Sequence, residues 1–424
     1  MKKLKSTLLV LLMAMVCLVA YYIFIAITDD GNVADNEAGN KTAQEDVTTG
    51  NQGNQNADDR KTTVSLVAVG DNFAHDSVIA SGKQSDGTYN YDFLFENIKS
   101  YVESADIAAI FQTMIIAGND KGVSGYPTFN SPEEMITAID EAGFDVALLA
   151  SNHSNDMGTA GIKSCLSLWQ EKSDVMTVGL NASEQDAVDI PIIEVEGKKV
   201  AILSYTTDMN KPIENADEQY MVNNLGVINQ ETGVISNYEL SEEVIDNIKI
   251  ADQQADFVVV FPYWGNEYTH ETTQTQKNWA EAMTEAGADL IIGARSHYLG
   301  QVEEITSDNG NKSLCYYSIG NFCSSFNYPD AMVGGMARVT IVFDDTGAYV
   351  DMDNSGVMPI VTHYTYSGED GSSSAQITGV YPLSAYTAEM ADSHGIIVRG
   401  NTQFSMSLIE EILSNNIDTQ FLLP

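Results

Sequence analysis

The sequence predicts a layered α/β domain carried on an N-terminal membrane anchor and a disordered tether, and three observations predict it. Short apolar runs alternate with segments of helical periodicity, the pattern of sheets covered by helices. At least six of those runs stop at turns bearing Asp, Asn, His, Glu or Arg, and open α/β sheets keep their sites at the carboxyl ends of strands. Lys2, Lys3 and Lys5 precede an uncharged apolar run from Leu8 to Ile27, about enough to cross a ~30 Å hydrocarbon core. No convincing small-x-small cleavage site follows, so residues 1–27 read as an uncleaved anchor. The lysines then keep the N-terminus cytoplasmic, and the rest of a single-pass protein of the cell membrane is extracellular.

Residues 28–61 are rich in Asn, Asp, Gly, Gln and Thr and read as a disordered tether. The folded domain, expected over 62–365, opens with Val64–Val69, a buried-strand run ending at Gly70-Asp71-Asn72, with His75 close behind. Phe93 to Val102 has helical periodicity, and Ile107–Ile110 is a short strand stopping at Phe111-Gln112-Thr113. After a Gly-rich loop, Ser131-Pro132-Glu133-Glu134 starts a helix with a Ser cap, Pro in the first turn and early acids. The next strand, Ala147–Ala150, breaks at Ser151-Asn152-His153-Ser154-Asn155-Asp156, and Gly158 releases the chain into a helix. A strand over Val175–Val178 and a hairpin turning at Glu196-Gly197 into Val200–Tyr205 follow. Lys211 to Asn237 is irregular and polar, a surface segment placed to lid the site.

Ser241 opens a helix to Ala251, and Phe257–Phe261, the most strand-like run, ends at Pro262-Tyr263-Trp264-Gly265-Asn266-Glu267-Tyr268. A helix over Thr275–Ala286 leads to Leu290–Ile292 and the turn Gly293-Ala294-Arg295-Ser296-His297. Leu314–Ser318 runs into Ile319-Gly320-Asn321-Phe322. Met336–Phe343 and Ala348–Met352 read as antiparallel, edge-like strands, and Ser405–Leu413 as the amphipathic closing helix of a C-terminal extension over 366–424.

The 60 Asp plus Glu against 20 Lys plus Arg give a net charge of −40, which argues against nucleic acid, since that partner needs clustered cations. Four cysteines build no disulfide framework. Cys165, Cys315 and Cys323 default to buried thiols, with a Cys315–Cys323 pair left open.

With those turns in view, the chain resembles the CapA family of capsule or poly-γ-glutamate synthesis proteins, which share a calcineurin-like metallophosphatase fold. The resemblance covers about residues 64–326. It rests on Gly70-Asp71-Asn72, Tyr126-Pro127-Thr128-Phe129-Asn130-Ser131-Pro132, Ala142-Gly143-Phe144-Asp145 leading to Asn152-His153-Ser154, Trp264-Gly265 with Glu267-Tyr268, Ala286-Gly287-Ala288-Asp289 leading to His297, and Ser318-Ile319-Gly320-Asn321-Phe322, in the family's order. It implies a metallophosphatase-like sandwich of two mixed β-sheets flanked by helices, with two divalent metals. Matched by position, Asp71, Asn152 and His297 are metal ligands, and His153 and Glu267 are catalytic candidates.

Three positions depart from the family pattern. Thr113 stands where a bridging carboxylate is usual, and it cannot offset the repulsion of two cations. Tyr263 replaces a His, and a phenol with reference pKa about 10 ligates only if a metal removes its proton. Arg295 replaces another His; it has no lone pair and adds a fixed positive charge. The expected centre is degenerate, holding one divalent metal (Mn, Zn or Fe) or none.

Arg295 could still hold a carboxylate or phosphate in bidentate fashion, with Tyr263 and Trp264 as aromatic walls and Asn321 shaping the rim. The expected role is in capsule or poly-γ-glutamate biosynthesis, binding or assembling an anionic cell-envelope polymer. The alternative is an active metal-dependent phosphoesterase or hydrolase with a rearranged ligand set. Against both stands the plainer reading that Asp71, His153 and Asn321 only tie turns. His75 is expected near the rim, and His270, His363 and His394 at the surface or in packing.

Overall fold

The strand Phe257–Tyr263 shows how the chain is layered. Its side chains alternate between two apolar cores, Phe257, Val259 and Phe261 in the larger and Val258 and Val260 in the smaller, as a period of two requires. A strand buried on both faces must be covered on both, here by a second sheet on one side and helices on the other. The computed structural model describes residues 61–366 and 375–424. The anchor and nearly all of the tether lie outside the described residues. Among those residues, no helix is long and apolar enough to cross a membrane.

In chain order the strands are β1 (Thr62–Asn72), β2 (Ile107–Phe111), β3 (Val146–Leu148), β4 (Met176–Val178), β5 (Ile192–Val195), β6 (Lys198–Thr206), β7 (Gly226–Ile228), β8 (Ile235–Leu240), β9 (Phe257–Tyr263), β10 (Leu290–Ile292), β11 (Val302–Thr306), β12 (Lys312–Tyr316), β13 (Asn321–Cys323), β14 (Val333–Asp344), β15 (Gly347–Val350), β16 (Gly356–Tyr366) and β17 (Ala375–Pro382). One sheet runs β17-β16-β14-β1-β2-β3-β4, with β13 beside β1 and β15 beside β14; the other runs β11-β12-β10-β9-β6-β5. Both are mixed: β1 to β4 are parallel and β14, β16 and β17 antiparallel in the first, whereas β6, β9, β10 and β12 are parallel in the second. Phe111 meets Phe261 edge-on across the two sheets at 5.8 Å, and Phe257 meets Phe343 at 6.3 Å. Each such pair adds about 0.5–1.5 kcal/mol to plain area burial.

Helices cover the outer faces. The helix Gln274–Ala286 starts in a Thr273/Gln276 capping box and ends on Gly287 in the left-handed region, and it buries Trp279 and Met283 in the smaller core. The helix Glu242–Gln254 adds Val244, Ile248 and Ala251 to that core. On the first sheet, the helix Gly158–Lys172 buries Ile162, Cys165 and Trp169.

Several elements differ from the sequence expectation. Met336–Phe343 belongs to β14, an interior strand, because β16 and β17 lie outside it; β17 places residues beyond 366 on the same sheet. Phe93–Val102 breaks into the short helices Asp92–Phe95 and Lys99–Glu103. Lys211–Asn237 folds into the 3-10 turn Ala216–Met221 and most of the β7–β8 hairpin. Cys165, Cys315 and Cys323 are free and buried, so Cys315 and Cys323 are not paired.

The C-terminal part docks through buried imidazoles. His394 Nε2 lies 2.9 Å from the Thr362 carbonyl and its Nδ1 accepts from Ile396 N at 3.0 Å, while its ring stands edge-on to His363 at 4.9 Å. Burial lowers His394 to about 3, with Thr362 O opposing and His363 assisting. Below its ordinary value of 6.5 the unfolded chain takes up a proton that the folded chain refuses, so stability falls as pH drops from there toward 3. His394→Asn keeps an acceptor for Ile396 N and removes the titration. Urea denaturation should show wild type losing about 1.4 kcal/mol per pH unit relative to this variant between pH 6 and 4. Parallel profiles would show that His394 does not set the acid sensitivity.

Candidate functional site

Strand β1 delivers Asp71 between two neighbours. Parallel pairing sets Asp71 opposite Asn321 on β13 and opposite Phe111 on β2, and the Asp71 N–H donates to Gly320 O at 3.1 Å. The carboxylate is wholly buried. Its Oδ1 accepts from the Thr113 hydroxyl at 2.6 Å, and its Oδ2 lies 3.2 Å from His297 Nδ1. That imidazole nitrogen has a closer partner in Asn321 Oδ1 at 3.0 Å, which leaves Asp71 Oδ2 without a hydrogen bond. Asn321 Nδ2 donates to Ala331 O at 3.0 Å and to Ser324 Oγ at 3.2 Å, fixing its amide oxygen toward His297. On that network His297 Nδ1 is the donor to Asn321 Oδ1, and Nε2 is the nitrogen left for another partner.

The Asn152 turn closes the other side. Ser151 Oγ donates to Thr113 O at 2.6 Å, and Ser154 Oγ both accepts from Ser151 N at 2.8 Å and donates to Leu149 O. Asn152 Oδ1 is buried without a partner, as is the hydroxyl of Tyr263. Burial holds the Tyr263 phenol well above its ordinary value, and the Asp71 charge adds to that, so it stays protonated. Leaving such groups unpaired costs about 1–3 kcal/mol each unless water or a ligand meets them.

His153 Nδ1 lies 2.8 Å from Asp156 Oδ2, and Asn210 Nδ2 lies 3.3 Å from its Nε2. His75 is the third imidazole. Burial lowers it to about 3, His297, Arg399 and His153 add to that, and its Nδ1 accepts from Ser325 N at 3.3 Å. All three rings surround Phe73, with centroids 4.3 Å away for His75, 5.7 Å for His153 and 5.3 Å for His297.

Three side chains that the sequence put forward, Arg295 and Trp264 for ligand binding and Glu267 for catalysis, make other contacts in this structure. Arg295 donates from Nε to Asp208 Oδ1 at 3.1 Å, from Nη2 to Asp208 Oδ2 at 2.6 Å and from Nη1 to Gly265 O, so its guanidinium is already held. Glu267 stands at the edge of that pair, 3.9 Å from Arg295 Nη2. Trp264 faces the smaller core, stacks on Tyr317 at 6.1 Å and donates to Tyr317 O at 2.9 Å. Asp208 and Asn210, which sequence reasoning passed over, lie just past the end of β6 as Asp71 lies at the end of β1, so the same strand-end signal marks them.

The loops carrying these groups are strained. Arg295, His297 and Tyr268 have φ of 103°, 62° and 58°, in the region that favours glycine, at about 1–3 kcal/mol each. Among the described residues, no group of three or more His, Cys, Asp and Glu side chains is placed to hold a metal. A two-metal centre does not fit, because Thr113 uses its hydroxyl on Asp71, Tyr263 keeps its proton and Arg295 is a cation. Asp71 Oδ2, Asn152 Oδ1 and His297 Nε2 are the remaining groups here of the kind that ligate an ion.

A family model described as the bacterial capsule synthesis protein PGA_cap matches residues 65–325. A capsule biosynthesis protein CapA of Bacillus anthracis is 28% identical over 239 residues, covering 55% of this chain and 54% of that protein. A PGA biosynthesis protein CapA of Bacillus subtilis (strain 168) is 28% identical over 234 residues, covering 54% and 56%. The chain thus spans about half the length of these relatives. A hypothetical protein from Thermus thermophilus is a solved structure with TM-score 0.38 and 11% identity, covering 68% of this chain and 98% of that one. The matched residues run from β1 past Asn321 and include Asp71, Asn152, His153, Tyr263 and His297, and the chain belongs to the bacterial capsule synthesis protein family PGA_cap.

Proposed function

We propose that this chain is a membrane-anchored, extracellular protein of capsule or poly-γ-glutamate biosynthesis that binds an anionic cell-envelope polymer at a degenerate, one-ion site. The observation that supports it best is that Asp71 Oδ2, 3.2 Å from His297 Nδ1, and Asn152 Oδ1 are both buried without a hydrogen bond. A divalent cation held there supplies a positive charge that Arg295, engaged by Asp208, does not offer. Tyr263 is placed to donate its retained proton to a ligand oxygen. Thr113 and Asn321 orient Asp71 and His297, as outer partners of metal ligands do.

Elemental analysis of the purified chain after exposure to Mn²⁺, Zn²⁺ or Fe²⁺ is the test. One equivalent is expected, and its loss in His297→Ala. No uptake sinks the reading, and two equivalents transfer it to the enzyme below.

A second reading, a metal-dependent phosphoesterase or hydrolase with a rearranged ligand set, is favoured by His153, which Asp156 orients as a carboxylate orients a general acid. It predicts turnover of a phosphoester or glutamyl-amide substrate with added metal, falling at least about a hundredfold in His153→Gln. No turnover with any of the three metals ends it.

A further inference from the structure

Exposed tyrosines that no role above uses lie beside the buried site and form its rim. Tyr126, Tyr268 and Tyr328 are 78%, 43% and 49% exposed. Tyr268 is the hub, its ring centroid 5.4 Å from Tyr328, 6.4 Å from Tyr298, 5.5 Å from Phe326 and 5.4 Å from His297. The rim is therefore continuous with the site floor. On the far side Tyr126 stands edge-on to Phe129 at 6.4 Å, and Phe129 stands edge-on to His153 at 4.6 Å. The left-handed backbone at Tyr268 is a cost that the loop bears at the residue at the centre of the rim.

The chemistry around those rings selects a ligand. Arg295 is held by Asp208, and Arg399 donates to Ser325 O and sits over the Tyr364 ring, so the arginines bordering the site are engaged. Glu267, about a third exposed, offers an acceptor at the rim, and the Tyr268 and Tyr298 phenols are donors at neutral pH as ordinary tyrosines are. An extended polyanion without rings would meet charge only at the proposed ion and at Lys211, and it would leave these aromatic faces uncovered. A pyranose ring presents an apolar C–H face to the electron-rich face of a tyrosine and hydroxyls to carboxylate and phenol.

We infer that the tyrosine rim is a saccharide-binding platform, so that the polymer entering the site carries sugar rings. This rests on the proposed function in taking the rim as the entrance to the ion site.

The test is calorimetric titration of the full chain in detergent with a β-1,4-linked N-acetylglucosamine hexamer and with γ-linked hexaglutamate, alongside metal content. The saccharide should bind, and the peptide, held by charge alone, should bind more weakly. Tyr268→Asn with Tyr328→Ala should weaken saccharide binding at least about tenfold, Asn being tolerant of the left-handed backbone. Phe at both positions should stay within about threefold, because the stacking face remains. No saccharide binding by wild type, or equal binding by the Asn/Ala variant, overturns the inference. Intact metal content in that case leaves the proposed ion site standing, whereas saccharide binding without metal uptake removes the ion site alone.

Discussion

Gly70→Ala is expected to destabilise the chain by about 4 kcal/mol or more, near the top of the range for single substitutions. A Cβ at residue 70 would overlap the carbonyl oxygen of Gly320, on the strand pair that sets Asp71 opposite Asn321. Backbone cannot rotate out of the way as a side chain can, so either β13 leaves β1 or the sheet opens. The same displacement would carry Asn321 away from His297 Nδ1, which it meets at 3.0 Å, and loosening such an orienting partner costs about 10–100-fold in metal affinity. Urea denaturation with metal titration measures both. Gly87→Ala is the control: its φ is 93° but nothing lies near its Cβ, so only the backbone cost of about 1 kcal/mol applies. Equal losses in the two variants would show that the close approach at Gly70 does not matter.

Residue parity in β9 and the strand-end rule account for much of what the sequence made legible. Both sheets' parallel strands were marked by their apolar runs, and Asp71, Asn152 and His297 were marked by following such runs. Parity also holds a signal that went unread: Tyr263 continues the odd-numbered face of β9 into the larger core and Trp264 falls on the other face, which is why only Tyr263 is at the site. Strands β16 and β17 were not legible because β16 is buried nearly throughout and does not alternate, and because Pro359 and Gly379 ordinarily weaken a strand assignment. The partner of Arg295 was not legible either, since Asp208 lies 87 residues earlier and no local spacing encodes a tertiary ion pair.

Asp208→Asn is expected to cost about 2–3 kcal/mol and to create an anion site where wild type has none. The Arg295 side chain is 14% exposed and that of Asp208 30%, so removing the carboxylate charge leaves the less hydrated partner uncompensated. Breaking a fully buried pair costs about 3–5 kcal/mol, and partial exposure reduces that here. The reverse variant, Arg295→Met, leaves a carboxylate that water reaches more easily, and about 1 kcal/mol is expected. Added sulfate separates the two: it should restore stability to Asp208→Asn by binding the freed guanidinium in the native state, while leaving wild type and Arg295→Met unchanged. If wild type gained as much from sulfate as Asp208→Asn, Arg295 would be available to ligands after all. In that event the charge for an anionic polymer would come from Arg295, and the one-ion site would not be needed to supply it.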